Sequence, residues 1–326
     1  MSRLHPWRRG KDAKPRSPWA RGRVLAALAV LIAGLLAFHS AVPNTAVRLG
    51  SLLEAFLPWL GLAVPVLLGL ALLRRSALAL VALLLPAAVW AGLFGGLLLG
   101  EGRTPYDFLV VQHNVSDENA DPAGTAAALV DSAPDLIALE ELTPVALPAY
   151  ERALESAYPF HAVRGSVGLW SAYPLSDVRT VDIKPKGIGD GWSRGLRSTV
   201  RTPRGDLAVY VAHLPSVRIG PRGFGSDRRD ESAHLLGEAL GAEKLDTVVL
   251  LGDLNSTLDD RGLAPVTSRL TSAEQGFSFS WPAGFPVSRI DHVMARSATV
   301  TDVWTLNATG SDHLPVAAGI DWEPER

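Results

Sequence analysis

Read only as a pattern of hydrophobic and polar positions, the chain changes character near residue 105. Before that point three apolar runs, Val24 to Val42, Leu49 to Leu73 and Ala77 to Gly100, each come close to the roughly 20 residues a helix needs to cross a bilayer. The pattern predicts three membrane-spanning helices. After that point short apolar runs of strand length alternate with amphipathic segments. Phe108 to Gln112, Asp135 to Leu139, Gly195 to Arg201, Leu207 to His213, Thr247 to Leu251, Arg289 to Met294, Val300 to Leu306 and Val316 to Ile320 read as strands. The third and fourth of these are joined as a hairpin through Pro203-Arg204-Gly205. Asp121-Pro122 and Thr143-Pro144 each read as a helix start, and a longer helix is expected from Ser226 to Glu243. Many strands with few helices point to an α/β fold in which two sheets pack face to face and helices cover their outer sides.

Charge sharpens the division. Residues 1 to 23 carry eight Lys or Arg against the single acid Asp12, whereas residues 105 to 326 carry 19 bases against 30 acids. A basic amino terminus, with Arg74 and Arg75 between the second and third runs, places both on the cytoplasmic side, so three crossings put everything after Gly100 outside. The first run is long for the apolar part of a signal peptide, no small-x-small cleavage site follows it, and two more runs come directly after. Glu54 is expected at the membrane interface, near the start of the second span. The acidic outer region is a poor general match for polyanionic nucleic acid. The chain has no Cys, which excludes disulfides, zinc-thiolate sites and a cysteine nucleophile.

The candidate chemistry lies where apolar strands end. Asn114 follows Val110-Val111-Gln112-His113, Glu140-Glu141 follow Leu136-Ile137-Ala138-Leu139, and His213 follows Val209-Tyr210-Val211-Ala212. Asp253 and Asn255 follow Val248 to Gly252, and Asp291-His292 and Asp312-His313 complete the set. An inventory of carboxylates, carboxamides and imidazoles suits hard, oxygen-seeking ions such as Mg²⁺ or Mn²⁺ better than a histidine-only zinc site. It also supplies a base for water and a donor for a phosphoryl oxygen. Trp170, Trp192 and Trp281 read as core or pocket walls.

The order of Gln112-His113-Asn114-Val115, Asp135 to Glu141, Gly168 to Leu175, Ala212-His213-Leu214, Gly252-Asp253-Leu254-Asn255, Arg289 to Val293 and Gly310 to Pro315 resembles the endonuclease/exonuclease/phosphatase superfamily over residues 106 to 322. That resemblance implies a four-layer α/β/β/α sandwich of the DNase I-like type, preceded here by three transmembrane helices. Carried over position by position, it implies metal ligation by Glu141 with Asn114 and Asp312, water positioning by Asp253, and phosphate or water contacts from Asn255 and His213. It further implies that His313 stabilises developing charge while Asp291 fixes its ring. His113 and His292 are not required by the motif and read as structural. Glu140 departs from the Gln that many relatives carry.

The expected organisation is then a basic cytoplasmic arm at 1–23, three transmembrane helices within 24–100, a linker at 101–105, a catalytic domain at 106–322 and a tail at 323–326. The arrangement is similar to the actinobacterial glycopeptide (teicoplanin)-resistance-associated members of the superfamily. It implies a Mg²⁺- or Mn²⁺-dependent phosphoesterase on a multi-pass membrane anchor, facing the outside of the cytoplasmic membrane. A lipid-linked or polyprenyl (di)phosphate ranks ahead of nucleic acid as substrate, the bilayer is the expected partner, and no protein partner can be inferred. Eight Arg between Arg194 and Arg229 surround His213, and Arg197 and Arg218 are the candidates for holding a second phosphate. The alternatives are a membrane-anchored extracellular nuclease and an inactive binding or sensing module.

Overall fold

The computed structural model describes residues 17, 19, 21–45, 47–98, 105–221, 223–273 and 276–322. Most of the expected basic arm and of the 101–105 linker, and the 323–326 tail, lie outside them. The chain divides into two compact units, Met1–Phe38 with Pro58–Leu93, and His39–Leu57 with Phe94–Arg326.

In the first unit Ala29, Leu67, Ala71, Ala79 and Leu83 are buried against one another, the small residues letting helices approach closely. Ser76 caps the following helix by accepting the Ala79 N–H, and its hydroxyl donates to the Arg21 carbonyl. Among the described residues one helix, Ala77–Leu98, is long and apolar enough to cross a membrane. Arg23–Ala37 is apolar but shorter. The expected second span is not one straight helix, since the chain bends sharply between Leu49–Ala55 and Leu57–Leu73. Pro58, which has no N–H to give to a helical ladder, stands at that break.

The second unit contains, among the described residues, strands numbered in chain order: β1 (Phe108–Asn114), β2 (Leu136–Glu140), β3 (Phe160–Arg164), β4 (Val167–Ser171), β5 (Leu175–Thr180), β6 (Gly195–Thr202), β7 (Gly205–Ala212), β8 (Ile219–Gly220), β9 (Gly223–Phe224), β10 (Val248–Asp253), β11 (Asp291–Arg296), β12 (Thr299–Thr305) and β13 (Val316–Asp321). They form a six-stranded sheet ordered β12-β13-β1-β2-β4-β3, a five-stranded sheet ordered β11-β10-β7-β6-β5, and the small pair β8-β9. Each large sheet is antiparallel except for one central parallel pair, β1 with β2 and β7 with β10. These parallel pairs are spanned by crossovers that carry the covering helices.

Two-residue periodicity then sorts the side chains. Phe108, Val110, Leu136, Ala138, Val209, Val211, Val249, Leu251, Val293 and Ala295 form one core between the sheets. The alternate residues Leu109, Val111, Ile137 and Leu139 pack outward with Leu129, Tyr150 and Leu154 from helices Pro122–Val130 and Leu147–Leu154. On the far side Ala208, Tyr210, Val248 and Leu250 pack with Ala233, Leu236 and Leu240 of helix Asp227–Gly241. Helices, sheet, sheet and helices are therefore stacked as the sandwich expected.

Asp121 caps its helix through the Gly124 N–H, with Pro122 in the first turn. The next helix begins at Leu147 and not at Thr143-Pro144, because the Thr143 hydroxyl accepts the Ala146 N–H and closes a separate turn first. Residues 39–57 belong to this unit. Glu54, expected at a membrane interface, is 1% exposed and takes both Nε and Nη2 of Arg261 at 2.7 Å.

Candidate active site

The inward parity of the core strands continues past their last apolar residue, and this builds the site. Gln112 and Asn114 extend the Phe108-Val110 face of β1, Glu140 extends the Leu136-Ala138 face of β2, and Asp253 extends the Val249-Leu251 face of β10. His213 follows Val209-Val211 from β7 on the same parity, and Asp291 precedes Val293-Ala295 at the start of antiparallel β11. Register aligns them: Asn114 stands opposite Glu140, and Asp253 opposite Asp291. Apolar neighbours then give way to polar ones at one end of both sheets. Gly252 is needed there because a Cβ would fall 1.9 Å from the Ala212 carbonyl oxygen.

Asp253 is buried, and its carboxylate accepts the Asn255 N–H at 2.9 Å, Asn114 Nδ2 at 3.0 Å and Asn255 Nδ2 at 3.2 Å. Burial, and after it the neighbouring charge of Asp291, pushes its carboxyl up to about 7. Asp291 holds His313 Nδ1 at 2.8 Å and also accepts Ser280 Oγ and, at 2.9 Å, Gln112 Nε2. Burial would raise the Asp291 carboxyl, but the His313 charge and these donors hold it below its ordinary value. For His313, burial pulls the ring down, yet the charges of Asp291 and Asp253 outweigh it and raise the imidazole to about 10. An imidazolium that gives Nδ1–H to Asp291 keeps Nε2–H for a ligand.

Ser311 positions this ring by accepting the His313 N–H while donating to the Asn114 carbonyl at 2.6 Å, which ties the Gly310-Ser311-Asp312-His313 turn to the end of β1. His213 Nε2 lies 3.6 Å from Asp253 and 3.8 Å from Glu141, with Arg194 Nη1 3.2 Å from its ring nitrogens. Burial and the Arg194 charge lower the His213 pKa, so it sits here as a neutral ring.

Glu140 and Glu141 are separated by the end of β2. Glu140 is fully buried, accepts Gln112 Nε2 at 2.8 Å, and is raised well above its ordinary value by burial and then by Asp291 and Asp253. Glu141 has φ 62°, which turns it out of the strand, and it lines an open pocket with Asn114, Asp253, Asn255, Asp312 and His313. Its carboxylate accepts the Asp117 N–H at 3.2 Å. Glu141 and Asp312 line one pocket with Asn114, whose Oδ1 accepts the Ser116 N–H at 3.0 Å and keeps a second lone pair, the oxygen chemistry that suits a hard divalent ion. Asp253, Asp291 and His313 also bring ligand-type atoms within 4.8 Å of one another. Both oxygens of Asp291 are already committed to His313, Ser280 and Gln112, which makes that trio a positioning network.

Arg218 lines the same pocket. Arg197 does not, and its expected phosphate role is corrected. Arg197 is 2% exposed, Nε and Nη2 go to Glu243 at 2.9 and 3.0 Å, and Nη1 goes to Asp177 at 2.6 Å and Thr199 at 2.5 Å. The strand period explains this: Arg197 is paired with Tyr210, whose side chain faces the outer core. His113 and His292 are structural as read, bonded to Thr309 Oγ1 at 2.9 Å and to the Ser256 carbonyl at 2.7 Å. Sequence reasoning missed Gln112 as the bridge between Glu140 and Asp291 and Ser280 as a donor to Asp291, and it named Arg194 only as one of the arginines around His213. For Gln112 the signal was its parity with Asn114; for Ser280, in an irregular loop, there was none.

A family model described as "Endonuclease/Exonuclease/phosphatase family" matches residues 111–313. No curated protein sequence matches the chain. Among solved structures, TDP2 of D. rerio humanised by 14 mutations is similar at 16% identity and a TM-score of 0.55, over 66% of this chain and 98% of that one. An endonuclease/exonuclease/phosphatase from Bacteroides vulgatus is similar at 15% identity and a TM-score of 0.54, over 67% and 100%. A Staphylococcus aureus beta toxin mutant with bound magnesium ions is similar at 16% identity and a TM-score of 0.51, over 65% and 99%. The matched span runs from β1 to His313 and holds every strand-end residue of the polar cluster, so the chain belongs to the endonuclease/exonuclease/phosphatase family.

Proposed function

We propose that this protein is a divalent-metal-dependent phosphoester hydrolase, anchored in the cytoplasmic membrane with its second unit outside, acting on a lipid-linked or polyprenyl (di)phosphate. The observation that carries the reading is the convergence of Asp253, His313 and Glu141 on one pocket, with Asp253 and His313 each oriented by its own hydrogen-bond partners. Asp253 is oriented by Asn114 and Asn255 and is matched to hold and deprotonate the attacking water. His313, steadied by Asp291, donates from Nε2 to a phosphoryl oxygen and stabilises the charge that grows there. His213 and Arg194 stand beside them as neutral and cationic donors to the same phosphate.

Glu141, Asn114 and Asp312 are the residues that would hold Mg²⁺ or Mn²⁺, and magnesium is bound in the similar beta toxin structure. When bound, the ion supplies positive charge against the phosphate oxygens. Apolar side chains exposed on the first unit, Leu28, Val30, Leu31, Leu70, Leu72 and Leu85 among them, favour a bilayer as its surroundings. The bilayer is the partner this implies, and a phosphorylated lipid is favoured over nucleic acid by the excess of acids after residue 105.

The test is Mg²⁺-dependent phosphate release from a polyprenyl diphosphate by the full chain in detergent, beside cleavage of supercoiled DNA. Release that disappears in His313→Ala is expected; cleavage of DNA alone makes this an anchored nuclease. An alkaline phosphatase fused after Arg326 is expected to be active, and an inactive fusion beside a bright cytosolic reporter would refute the external placement.

A further inference from the structure

The pocket that holds the polar cluster is far larger than a phosphate. Its volume is about 540 Å³, where a water occupies about 30 Å³ of liquid. Away from the carboxylates it is lined by Ala55, Phe56, Val217, Ile219, Phe224 and Trp281. Three of these remain partly open to solvent, Phe56 at 40%, Ile219 at 69% and Trp281 at 39%. Polar and apolar lining meet in one continuous space, which is the shape of a site for a phosphate bearing a hydrocarbon.

Two of the lining residues come from residues 39–57, a segment distant in sequence from every catalytic position. It is fastened to the second unit at several points. Glu54 takes the Arg261 fork and the Arg261 N–H at 3.0 Å, while Arg261 reaches on to the carbonyls of Val42 at 2.9 Å and His39 at 3.0 Å. Arg48 pairs with Asp230 at 2.6 Å and with Asp227. The Phe224 N–H donates to the Val47 carbonyl at 3.0 Å, so the β8-β9 pair that carries Ile219 is held by the same segment. Gly223, at φ 97°, lies so close that a Cβ would meet the Val47 carbonyl oxygen at 2.3 Å. A bidentate Arg–carboxylate pair with its carboxylate buried fixes direction as well as position, so the helix Leu49–Ala55 delivers Phe56 to the pocket in one orientation.

We propose that residues 39–57 form a wall of the active site, and that Phe56, with Ile219 and Trp281, selects phosphoesters whose phosphate is followed directly by an aliphatic group. This rests on the phosphoester reading above and adds to it a specificity-determining residue outside the family-matched span. Phe56 gives the hydrocarbon next to the phosphate an apolar surface, and Glu54 acts through it as a positioning residue. A polar alcohol in the same place would gain nothing from the apolar surface of Phe56 and Ile219.

The experiment compares geranyl diphosphate with methyl diphosphate, identical in headgroup, using the full chain in detergent with Mg²⁺. Wild type is expected to favour geranyl diphosphate in kcat/KM. Phe56→Ala should lower that kcat/KM about tenfold, chiefly through KM, and leave methyl diphosphate within about twofold. Phe56→Leu should restore most of the preference, and Glu54→Gln should move KM for the geranyl ester in the same direction as Phe56→Ala. Phe56 is partly exposed, so an unchanged melting temperature in Phe56→Ala separates loss of a contact from loss of fold. Equal turnover of both esters by wild type, or equal effects of Phe56→Ala on both, overturns the inference and leaves the hydrolase reading standing. Turnover of neither diphosphate overturns the substrate reading and the inference with it.

Discussion

Replacing Arg197 with Met tests whether that residue serves the fold or a phosphate. The guanidinium and the Glu243 carboxylate are each about 3% exposed in their side chains and meet through two charge-assisted bonds, so removing one partner leaves a buried charge uncompensated. Such a loss costs about 3 to 5 kcal/mol, and the low end applies because Glu243 keeps the half-exposed Arg179 at 3.5 Å, the Tyr210 hydroxyl at 2.8 Å and the amides of Lys244 and Leu245. The Asp177 contact adds little, since Asp177 is 56% exposed. Burial alone would raise the Glu243 carboxyl, yet Arg197, the Leu245 amide and Tyr210 bring it down to about 2. Because the folded value is depressed, this stability is present above about pH 4.5 and drains away as pH falls towards 2. Arg197→Met should therefore melt about 6 to 12 °C below wild type at pH 7, and the gap should narrow below about pH 4.5. Tryptophan fluorescence of the full chain in detergent, scanned at several pH values, reads this directly. An unchanged melting temperature together with a raised KM for a diphosphate over a monoester would refute the reasoning and return Arg197 to the phosphate.

Two further predictions concern the polar cluster. Asp253→Asn removes the carboxylate that accepts Asn114 and Asn255 and faces the attacking water in this reading, so kcat should fall about 10²- to 10⁴-fold with KM changed much less; turnover within a few fold of wild type would assign the base elsewhere. Glu141→Gln should raise the Mg²⁺ concentration for half-maximal activity at least about tenfold, whereas Glu140→Gln should not; the opposite pattern in a metal titration would assign the ligand to the buried acid.

How much of this could be read from sequence depends on how local the determinants are. The strand-end residues were found because apolar alternation stops at them, and the same alternation that buries Val110 and Val249 aims Asn114 and Asp253 into the site. The strands Phe160–Arg164, Val167–Ser171 and Leu175–Thr180 escaped an assignment by pattern, since the first and third are largely exposed edge strands with little apolar periodicity. Arg197 misled because proximity in sequence to His213 was taken for proximity in space, while parity sends it to the outer face. Glu54 misled in the opposite way. Its surroundings in sequence are almost wholly apolar, and its partner Arg261 lies 207 residues away, beyond the reach of any local pattern.

Glu54 also bears on why the site should depend on a segment that reads as part of a membrane span. A carboxylate inside an apolar run is costly in hydrocarbon and costly in a dry protein interior, and only the second setting offers it a guanidinium with matching geometry. Arg261 meets that requirement with both Nε and Nη2, and spends its remaining donors on carbonyls of the same segment. The pair is therefore specific in a way that generic apolar packing is not: one register of the Leu49–Ala55 helix satisfies every charged atom, and a slip of one residue would strand both partners. A segment held only to connect two parts of the chain would not need that precision. A segment that must present Phe56 to a reacting phosphate would, and the polar clamp two residues before Phe56 is where such control has to be applied.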